Sequence, residues 1–275
     1  MSEARGHEVV RTRGGALAMR SLEAGEVMHP GVGPLAEAEA LYVRQSRLAE
    51  RLGARASAEL VLFDIGLGAG SNALCARATA EAAPADAARL HLVSFERDLG
   101  ALNLALGYGE TFGLLGEPAL AARALLGGGS HESEHTRWEL RHGDVLQTLA
   151  REWTRADIVF WDPFSPRANP SLWTIAAFRA MRRAAGPRCT LVTYSASTAT
   201  RVALLLAGWA VGVGDAIGEK AQTTFAAVDL ADVARPLDRR WPERLLRPDA
   251  PLPADAPPDT AALVARLPQF ASDRQ

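Results

Sequence analysis

Short apolar runs alternate with longer, helically periodic segments along the chain from residue 59 to residue 228. The apolar runs predict strands near 60–65, 90–95, 137–141, 157–161, 189–194, 209–214 and 223–228. The periodic segments predict helices near 71–82, 98–106, 144–152, 171–185 and 196–207. Because such alternation is typical of α/β proteins, we expect a mostly parallel sheet of seven strands with helices on both faces.

The two ends of the chain depart from this alternation, so we expect three parts: an N-terminal extension, an α/β domain and a C-terminal tail. An N-terminal extension, residues 1–55, holds a short strand near 16–21 and a helix over 35–52. The α/β domain spans 56–234, and a tail over 235–275 contains eight of the sixteen prolines.

Two stretches of low periodicity are expected to be irregular. We expect the tail to wrap the surface or stay disordered, apart from a helix near 259–267. The interval 110–136 contains Gly127-Gly128-Gly129 and is expected to be a partly helical insertion that ends in a mobile loop.

Composition excludes several classes of protein. The net charge of −2 gives no global basic field for nucleic acid, and only Lys220 of the 30 basic residues is a lysine. No run approaches the roughly 20 apolar residues of a membrane span, and the N-terminus has no secretion signal. Cys75 and Cys189 are isolated, which favours buried thiols and a reducing compartment. We expect a soluble cytoplasmic protein.

The first strand of the alternation runs into a loop with glycine at every second position, Asp64-Ile65-Gly66-Leu67-Gly68-Ala69-Gly70-Ser71-Asn72. Residues without Cβ let the backbone turn sharply and approach a ligand, and the helix that follows directs free N–H groups toward it. Gly-x-Gly-x-Gly is the usual first loop of class I S-adenosylmethionine methyltransferases. A dinucleotide fingerprint requires glycine at position 71, where this chain has Ser71. The alternative interpretation is a glycine-rich turn of the kind found in any α/β protein.

Acids follow the next strands of the predicted sheet. Glu96 ends the second strand, where a carboxylate can accept hydrogen bonds from both hydroxyls of a ribose. Asp144 follows the third strand and either bonds an adenine amino group or caps the next helix. A solvated carboxylate at a strand end is the alternative for Glu96.

The fourth strand ends in Asp162-Pro163-Phe164-Ser165-Pro166, followed by Asn169-Pro170 and Trp173. Ligands of open α/β sheets bind outside the carboxyl ends of strands, so Asp162 faces the reacting end of a cofactor. An acid followed by proline and an aromatic residue is similar to the amine-binding loop of amino-group methyltransferases. A carboxylate there orients an amine, whose ordinary pKa is about 10, and helps to deprotonate it. A proline-rich loop with packed aromatic residues is the alternative.

The pattern His131-Glu132-Ser133-Glu134-His135 matches the zinc-protease motif in letters alone. That chemistry requires both histidines on one helix face, whereas glycines precede this pattern and a strand is predicted directly after it. We expect no metal.

Taken together, these residues resemble the MnmC-like methyltransferase family, and the resemblance extends over about residues 15–230. It is carried by 63–72, 93–96, 143–145, the Asp162-x-Phe164-x-Pro166-x-x-Asn169-Pro170-x-x-Trp173 pattern, 193–195 and 21–30. The resemblance implies a Rossmann-like class I fold that moves a methyl group from S-adenosylmethionine to the aminomethyl nitrogen of the wobble uridine in tRNA. It also implies that the N-terminal extension closes over the cofactor. Bifunctional members carry a flavin oxidase domain, which we expect this chain to lack.

The resemblance assigns roles residue by residue. The cofactor-binding residues it implies are Asp64, Gly66, Gly68, Gly70, Asn72, Glu96, Asp144 and Asp162. The residues it implies at the reacting amine are Asp162, Pro163 and Phe164. The substrate-binding residues it implies are His29, Asn169, Trp173 and Lys220.

The chain differs from the family pattern at two positions. Pro163 replaces a small residue, and Ala221 follows Lys220 where the family has a basic pair. A methyltransferase of a small-molecule or protein amine, or a binding module without catalysis, are the alternatives. A nicotinamide-dependent dehydrogenase is disfavoured by the glycine spacing.

Overall fold

The computed structural model describes residues 6–12, 14–29, 31, 33–54, 58–216 and 221–271. A three-stranded antiparallel sheet near the N-terminus comprises β1 (His7–Arg11), β2 (Leu17–Ser21) and β3 (Glu26–Val27). The central sheet has eight strands: β4 (Glu59–Ile65), β5 (Arg89–Glu96), β6 (Ser130–Glu132), β7 (Thr136–His142), β8 (Ala156–Trp161), β9 (Ala185–Thr193), β10 (Ala210–Gly214) and β11 (Thr223–Ala227).

Ten α-helices accompany these strands in the described part of the chain. They are α1 (Pro34–Ala38), α2 (Leu48–Gly53), α3 (Ser71–Glu81), α4 (Gly100–Ala105), α5 (Gly109–Phe112), α6 (Glu117–Gly128), α7 (Val145–Ala150), α8 (Ile175–Ala184), α9 (Thr198–Leu206) and α10 (Thr260–Ala265).

The strand order of the central sheet is β10-β11-β9-β8-β4-β5-β7-β6. Strands β7, β5, β4, β8 and β9 are parallel to one another, while β6, β10 and β11 pair antiparallel. Since β4 has β5 on one side and β8 on the other, the order of the chain reverses there. Ligands of open α/β sheets bind at such a switch point, outside the carboxyl ends of the strands.

Alternate residues of each central strand face opposite sides of the sheet and build two cores. In β4, Phe63 and Ile65 join the core under α7, α8 and α9, where Trp161 packs on Phe178 at 4.8 Å between ring centroids. Leu60 and Leu62 join the core under α1 to α6. Helices on both faces confirm the predicted α/β fold.

The predicted helix over 35–52 is interrupted in the structure. After α1, the segment Glu39–Arg44 is a π-helix, and Arg47 takes a left-handed conformation with φ 57° before α2 begins. Leu41, Tyr42 and Val43 are all buried. A regular surface α-helix rotates by about 100° per residue and cannot bury three successive side chains, so the wider π turn permits this packing.

The interval 110–136 is more ordered than expected. Glu117 at the start of α6 pairs with the buried guanidinium of Arg77 on α3 at 2.8 Å. Gly129, with φ 75°, ends α6 and turns the chain into β6. The helical part of the expected insertion is present as α5 and α6, but α6 and β6 take the place of the loop predicted at the glycines. Strand β6 raises the strand count from seven to eight because it adds to the edge of the sheet beside β7.

The tail packs on the sheet and on α8 and α9 through residue 271. Its Trp241 and Phe270 rings stack at 6.2 Å. The Gln269 side chain bonds both backbone groups of Val211 in β10, accepting at 2.8 Å and donating at 2.6 Å. The Asp255 carboxylate accepts the first two N–H groups of α8, each at 2.9 Å.

We expect Asp255→Ala to lower the free energy of unfolding by about 1 kcal/mol, because α8 loses partners for two N-terminal N–H groups. Urea titration measures the change. Asp259→Ala is the matched control, since the Asp259 side chain makes no capping bond at the start of α10. An equal loss in both variants would contradict the role of Asp255.

Candidate active site

A cavity of about 610 Å3 lies at the carboxyl ends of β4, β5, β7 and β8. Its floor is formed by the glycine loop after β4 and the strand-end acids, and the N-terminal segment forms the opposite wall. Its size lies within the roughly 300–1,000 Å3 range of cofactor sites. Of the predicted site residues, Gly66, Gly68, Glu96, Asp144, Asp162, Pro163, Phe164, His29 and Asn169 line it.

The glycine loop is shaped by contacts that side chains would block. At Gly66, with φ 93°, a Cβ would lie 2.8 Å from the carbonyl oxygen of Asp162. At Gly68, with φ 52°, a Cβ would lie 3.0 Å from the sulfur of Met28. The loop is therefore packed between the end of β8 and the N-terminal segment.

Glu96 is held by backbone N–H groups at the end of β5. Its carboxylate accepts hydrogen bonds from Gly68 at 3.1 Å, Arg97 at 2.7 Å and Asp98 at 3.0 Å. These bonds fix the carboxylate against the glycine loop, with its side chain in the cavity wall. Asp144 also lines the cavity, and its Oδ1 caps α7 by accepting from Gln147 at 3.0 Å.

Asp162 lies where the cavity meets α3 and the N-terminal segment. Its Oδ2 accepts a hydrogen bond from Asn72 at 2.7 Å and lies 3.6 Å from Nε2 of His29. Burial raises the pKa of Asp162 above its ordinary value, while His29 opposes the shift most strongly. His29 has φ 50°, an unusual conformation for a residue with a side chain.

The loop after Asp162 is tied down through its backbone. Tyr194 donates its hydroxyl to the Pro163 carbonyl at 3.1 Å, and Trp173 donates its indole N–H to the Phe164 carbonyl at 2.8 Å. Trp173 is buried beneath this loop, with its ring edge-on to Tyr194 at 5.6 Å. It supports the cavity wall without lining it.

Glu26 on β3 joins the N-terminal segment to the same loop. Its carboxylate accepts the backbone N–H of Ser165 at 2.9 Å and also bonds the Ser165 hydroxyl. Sequence reasoning missed Glu26, Glu37 and Tyr194 as cavity residues. Glu26 and Tyr194 carried a signal, because they lie in the 21–30 and 193–195 stretches of the family resemblance, whereas Glu37 carried none.

Asp64 lies beneath the glycine loop and does not line the cavity. Its Oδ2 accepts from Ser94 at 2.9 Å, and the Ser94 hydroxyl accepts from the Trp138 indole at 3.0 Å. Burial raises the pKa of Asp64 to about 7, against the opposing bond from Ser94. Gly70 and Asn72 also lie outside the cavity lining, and Lys220 is outside the described residues.

Among the residues that the structure describes, no cluster of three or more His, Cys, Asp or Glu side chains could hold a metal ion. His131 and Glu132 lie in β6, which pairs antiparallel with β7, so the helix that a zinc-protease motif requires is not formed there. No helix within the described ranges is long and apolar enough to cross a membrane.

The raised pKa of Asp64 predicts a pH dependence of stability. Because the folded-state pKa is about 7 and the ordinary value is 3.8, the folded protein keeps a proton that the unfolded chain loses between these values. The free energy of unfolding should therefore fall as pH rises through this window, by at most about 1.4 kcal/mol per pH unit. Urea unfolding across the window should show a shallower decline in Asp64→Asn than in the wild type. An identical decline would contradict this assignment.

Some known proteins are similar to this chain in sequence, and some solved structures are similar to it in fold. A family model described as S-adenosyl-L-methionine-dependent methyltransferase matches residues 127–229. The tRNA 5-methylaminomethyl-2-thiouridine biosynthesis bifunctional protein MnmC of Paraburkholderia phymatum is 33% identical over 205 residues, covering 71% of this chain and 31% of that protein. The MnmC of Ectopseudomonas mendocina is 34% identical over 210 residues, with the same two coverages of 71% and 31%. The chain thus spans about a third of the length of these relatives.

Two solved structures have folds similar to that of this chain. MnmC2 of Aquifex aeolicus superposes with a TM-score of 0.72 at 26% identity, covering 96% of this chain and 85% of that one. Spermidine synthase of Thermotoga maritima superposes at 0.54 and 13% identity, covering 96% and 81%, which shows a shared fold alone. The glycine loop, the amide-bound acid after β5 and the acid after β8 all line the same cavity. The chain belongs to the MnmC-like methyltransferases, with a class I fold and S-adenosylmethionine as its cofactor.

Proposed function

We propose that this protein methylates the aminomethyl nitrogen on the wobble uridine of tRNA. The relatives' printed role in tRNA 5-methylaminomethyl-2-thiouridine biosynthesis supports this substrate. The observation that carries the proposal is the placement of Asp162, a partly buried carboxylate in the cavity wall at the end of β8. We further propose that the protein works in the cytoplasm with tRNA as its partner.

In this proposal S-adenosylmethionine lies along the cavity, with its adenosine part beside Glu96 and Asp144 and its methionine part over the glycine loop. Glu96, fixed by three N–H groups, is suited to accept the ribose hydroxyls, and Asp144 can reach the adenine amino group while it caps α7. The methionine part would lie over Gly66 and Gly68, which line the cavity. When bound, the cofactor supplies a methyl group made electrophilic by its sulfonium.

Asp162 would orient the amine and take its proton. The amine lone pair must point at the methyl carbon, so the nitrogen–carbon bond forms as the sulfur–carbon bond breaks. The raised pKa of Asp162 makes its carboxylate a better proton acceptor than an ordinary aspartate. Asn72 holds Oδ2, and the tethered carbonyls of Pro163 and Phe164 keep the loop rigid beside it.

The division into an extension (1–55), a methyltransferase domain (56–234) and a tail (235–275) is part of the proposal. The extension would close over the bound cofactor, because Glu26 bonds Ser165 and Met28 lies against Gly68. Covering the site excludes water from the reacting groups.

The arrangement of arginines on α8 favours a second candidate, a methyltransferase of a small-molecule or protein amine. Arg179 donates to the Leu206 carbonyl at 3.2 Å, and Arg182 donates to the Gly208 carbonyl at 3.2 Å while its guanidinium covers the Trp209 ring. These two arginines donate to carbonyl groups at the C-terminal end of α9 and do not line the cavity. A large anionic substrate would have to find its basic contacts elsewhere.

Transfer of label from radioactive S-adenosylmethionine separates the candidates. The acceptors are bulk tRNA that carries aminomethyl-uridine and, in parallel, a panel of small amines. Label in tRNA supports the proposal. Label only in small amines supports the second candidate, and cofactor binding without any transfer identifies a binding module.

For Asp162→Asn we expect kcat to fall about 100-fold while the Kd of S-adenosylmethionine stays within about 3-fold, because the amide orients an amine but takes no proton. Single-turnover assays and calorimetry measure the two quantities. Asp249→Asn, in the exposed tail, is the control with the same chemical change. Near-normal kcat in Asp162→Asn would remove the residue from the reaction.

For Glu96→Ala we expect the Kd of S-adenosylmethionine to rise about 10- to 100-fold, since hydrogen bonds to a charged group contribute about 1.5–3 kcal/mol. Calorimetry measures the Kd. Glu110→Ala, on the exposed side of α5, should bind like the wild type. An unchanged Kd in Glu96→Ala would mean that this acid is not a cofactor ligand.

A further inference from the structure

Glu37 is a buried acid on α1 with no role in the methyl transfer proposed for Asp162. It is 7% exposed, and its Oε2 accepts one long hydrogen bond, from the Gly31 N–H at 3.3 Å. Within the described ranges, no ion pair involves Glu37. A carboxylate removed from water without a cationic partner is costly, which suggests that a cation comes from outside the chain.

Glu37 shares the cavity with Asp162. Both line it, and the charge of Glu37 is among the causes that raise the pKa of Asp162, after burial. The Tyr42 hydroxyl is buried near Asp162 and interacts with that charge more strongly than with the charge of Glu37. Burial, and then the charge of Asp162, raise the pKa of Tyr42, so the hydroxyl stays neutral.

Among the described residues, these two acids have one ion pair, between His29 and Asp162. One imidazole carries at most one positive charge and does not balance two carboxylates. The cavity that both acids line therefore favours a small cation as its ligand. Two acids also suit the reaction better than one, because one can hold an ammonium while the other accepts its proton.

We propose that Glu37 and Asp162 form an ammonium-binding subsite that selects the protonated aminomethyl group of the substrate. This inference rests on the proposed function for the identity of the amine. Glu37 binds the cation electrostatically, and the proton passes from nitrogen to Asp162 before the methyl group is transferred. The leaving product carries the new methyl on nitrogen, and the cofactor leaves as the neutral thioether.

A pair of nucleosides tests the subsite directly. The probes are 5-aminomethyluridine, which is cationic, and 5-hydroxymethyluridine, a neutral compound of similar shape. Their Kd values are measured by calorimetry on protein saturated with S-adenosylhomocysteine. We expect the wild type to prefer the aminomethyl compound by about 10- to 100-fold, the effect of one charge-assisted contact.

Glu37→Gln should reduce this preference to within about 3-fold and leave the Kd of S-adenosylmethionine within about 2-fold of the wild type. Glu37→Asp should recover part of the preference because it restores the charge. Glu39→Gln is the matched control, two residues further along the chain and outside the cavity lining, and it should bind both probes like the wild type. Unchanged cofactor binding also shows that each variant is folded.

Three results would overturn the subsite: no preference in the wild type, a preference that persists in Glu37→Gln, or a loss that appears in cofactor binding instead. Its failure is distinguishable from that of the proposed function. A Glu37-dependent preference with no methylation of tRNA would retain the subsite and reject the tRNA substrate. Methylation of tRNA without the preference would retain the function and reject the subsite.

Discussion

The site depends on one close approach of two backbone segments. The carbonyl of Asp162 lies so near Gly66 that any Cβ there would be 2.8 Å from its oxygen, and the Asp162 N–H donates to Ile65 at 3.0 Å. These contacts continue the pairing of β4 with β8 past the ends of both strands. The loop that would bind the cofactor and the acid that would take the proton are thereby placed at a fixed separation.

A second constraint is that acidic side chains outnumber basic ones in the cavity lining, seven to four. Glu96 is stabilised by N–H groups, whereas Asp162 depends on one amide and one imidazole. This difference divides the cavity chemically. The carboxylate held by three N–H groups keeps acceptor capacity for neutral hydroxyls, and the carboxylate with fewer partners is suited to a cation that brings its own donors.

Local patterns were enough to predict the central strands, the glycine loop and the acids at the ends of β5 and β8. Each is encoded by consecutive residues: apolar runs, glycine spacing, or a polar residue directly after a strand. Contacts between distant segments could not be found in this way. Glu26 meets Ser165 across 139 residues, and Glu37 enters the cavity only because α1 folds over the sheet. The strand β6 was missed because three residues after a glycine run carry no periodic signal.

The tail also covers backbone hydrogen-bonding groups at one edge of the central sheet. Strand β10 would be an open edge, but Gln269 occupies both backbone groups of Val211, and Leu237 adds a further bond to the same carbonyl at 3.0 Å. Val213 donates to Arg235 at 2.9 Å, so successive hydrogen-bonding positions along the strand are taken. The opposite edge, β6, is only three residues long. Both margins are poor templates for strand addition, so the fold resists the edge-to-edge aggregation to which open sheets are prone.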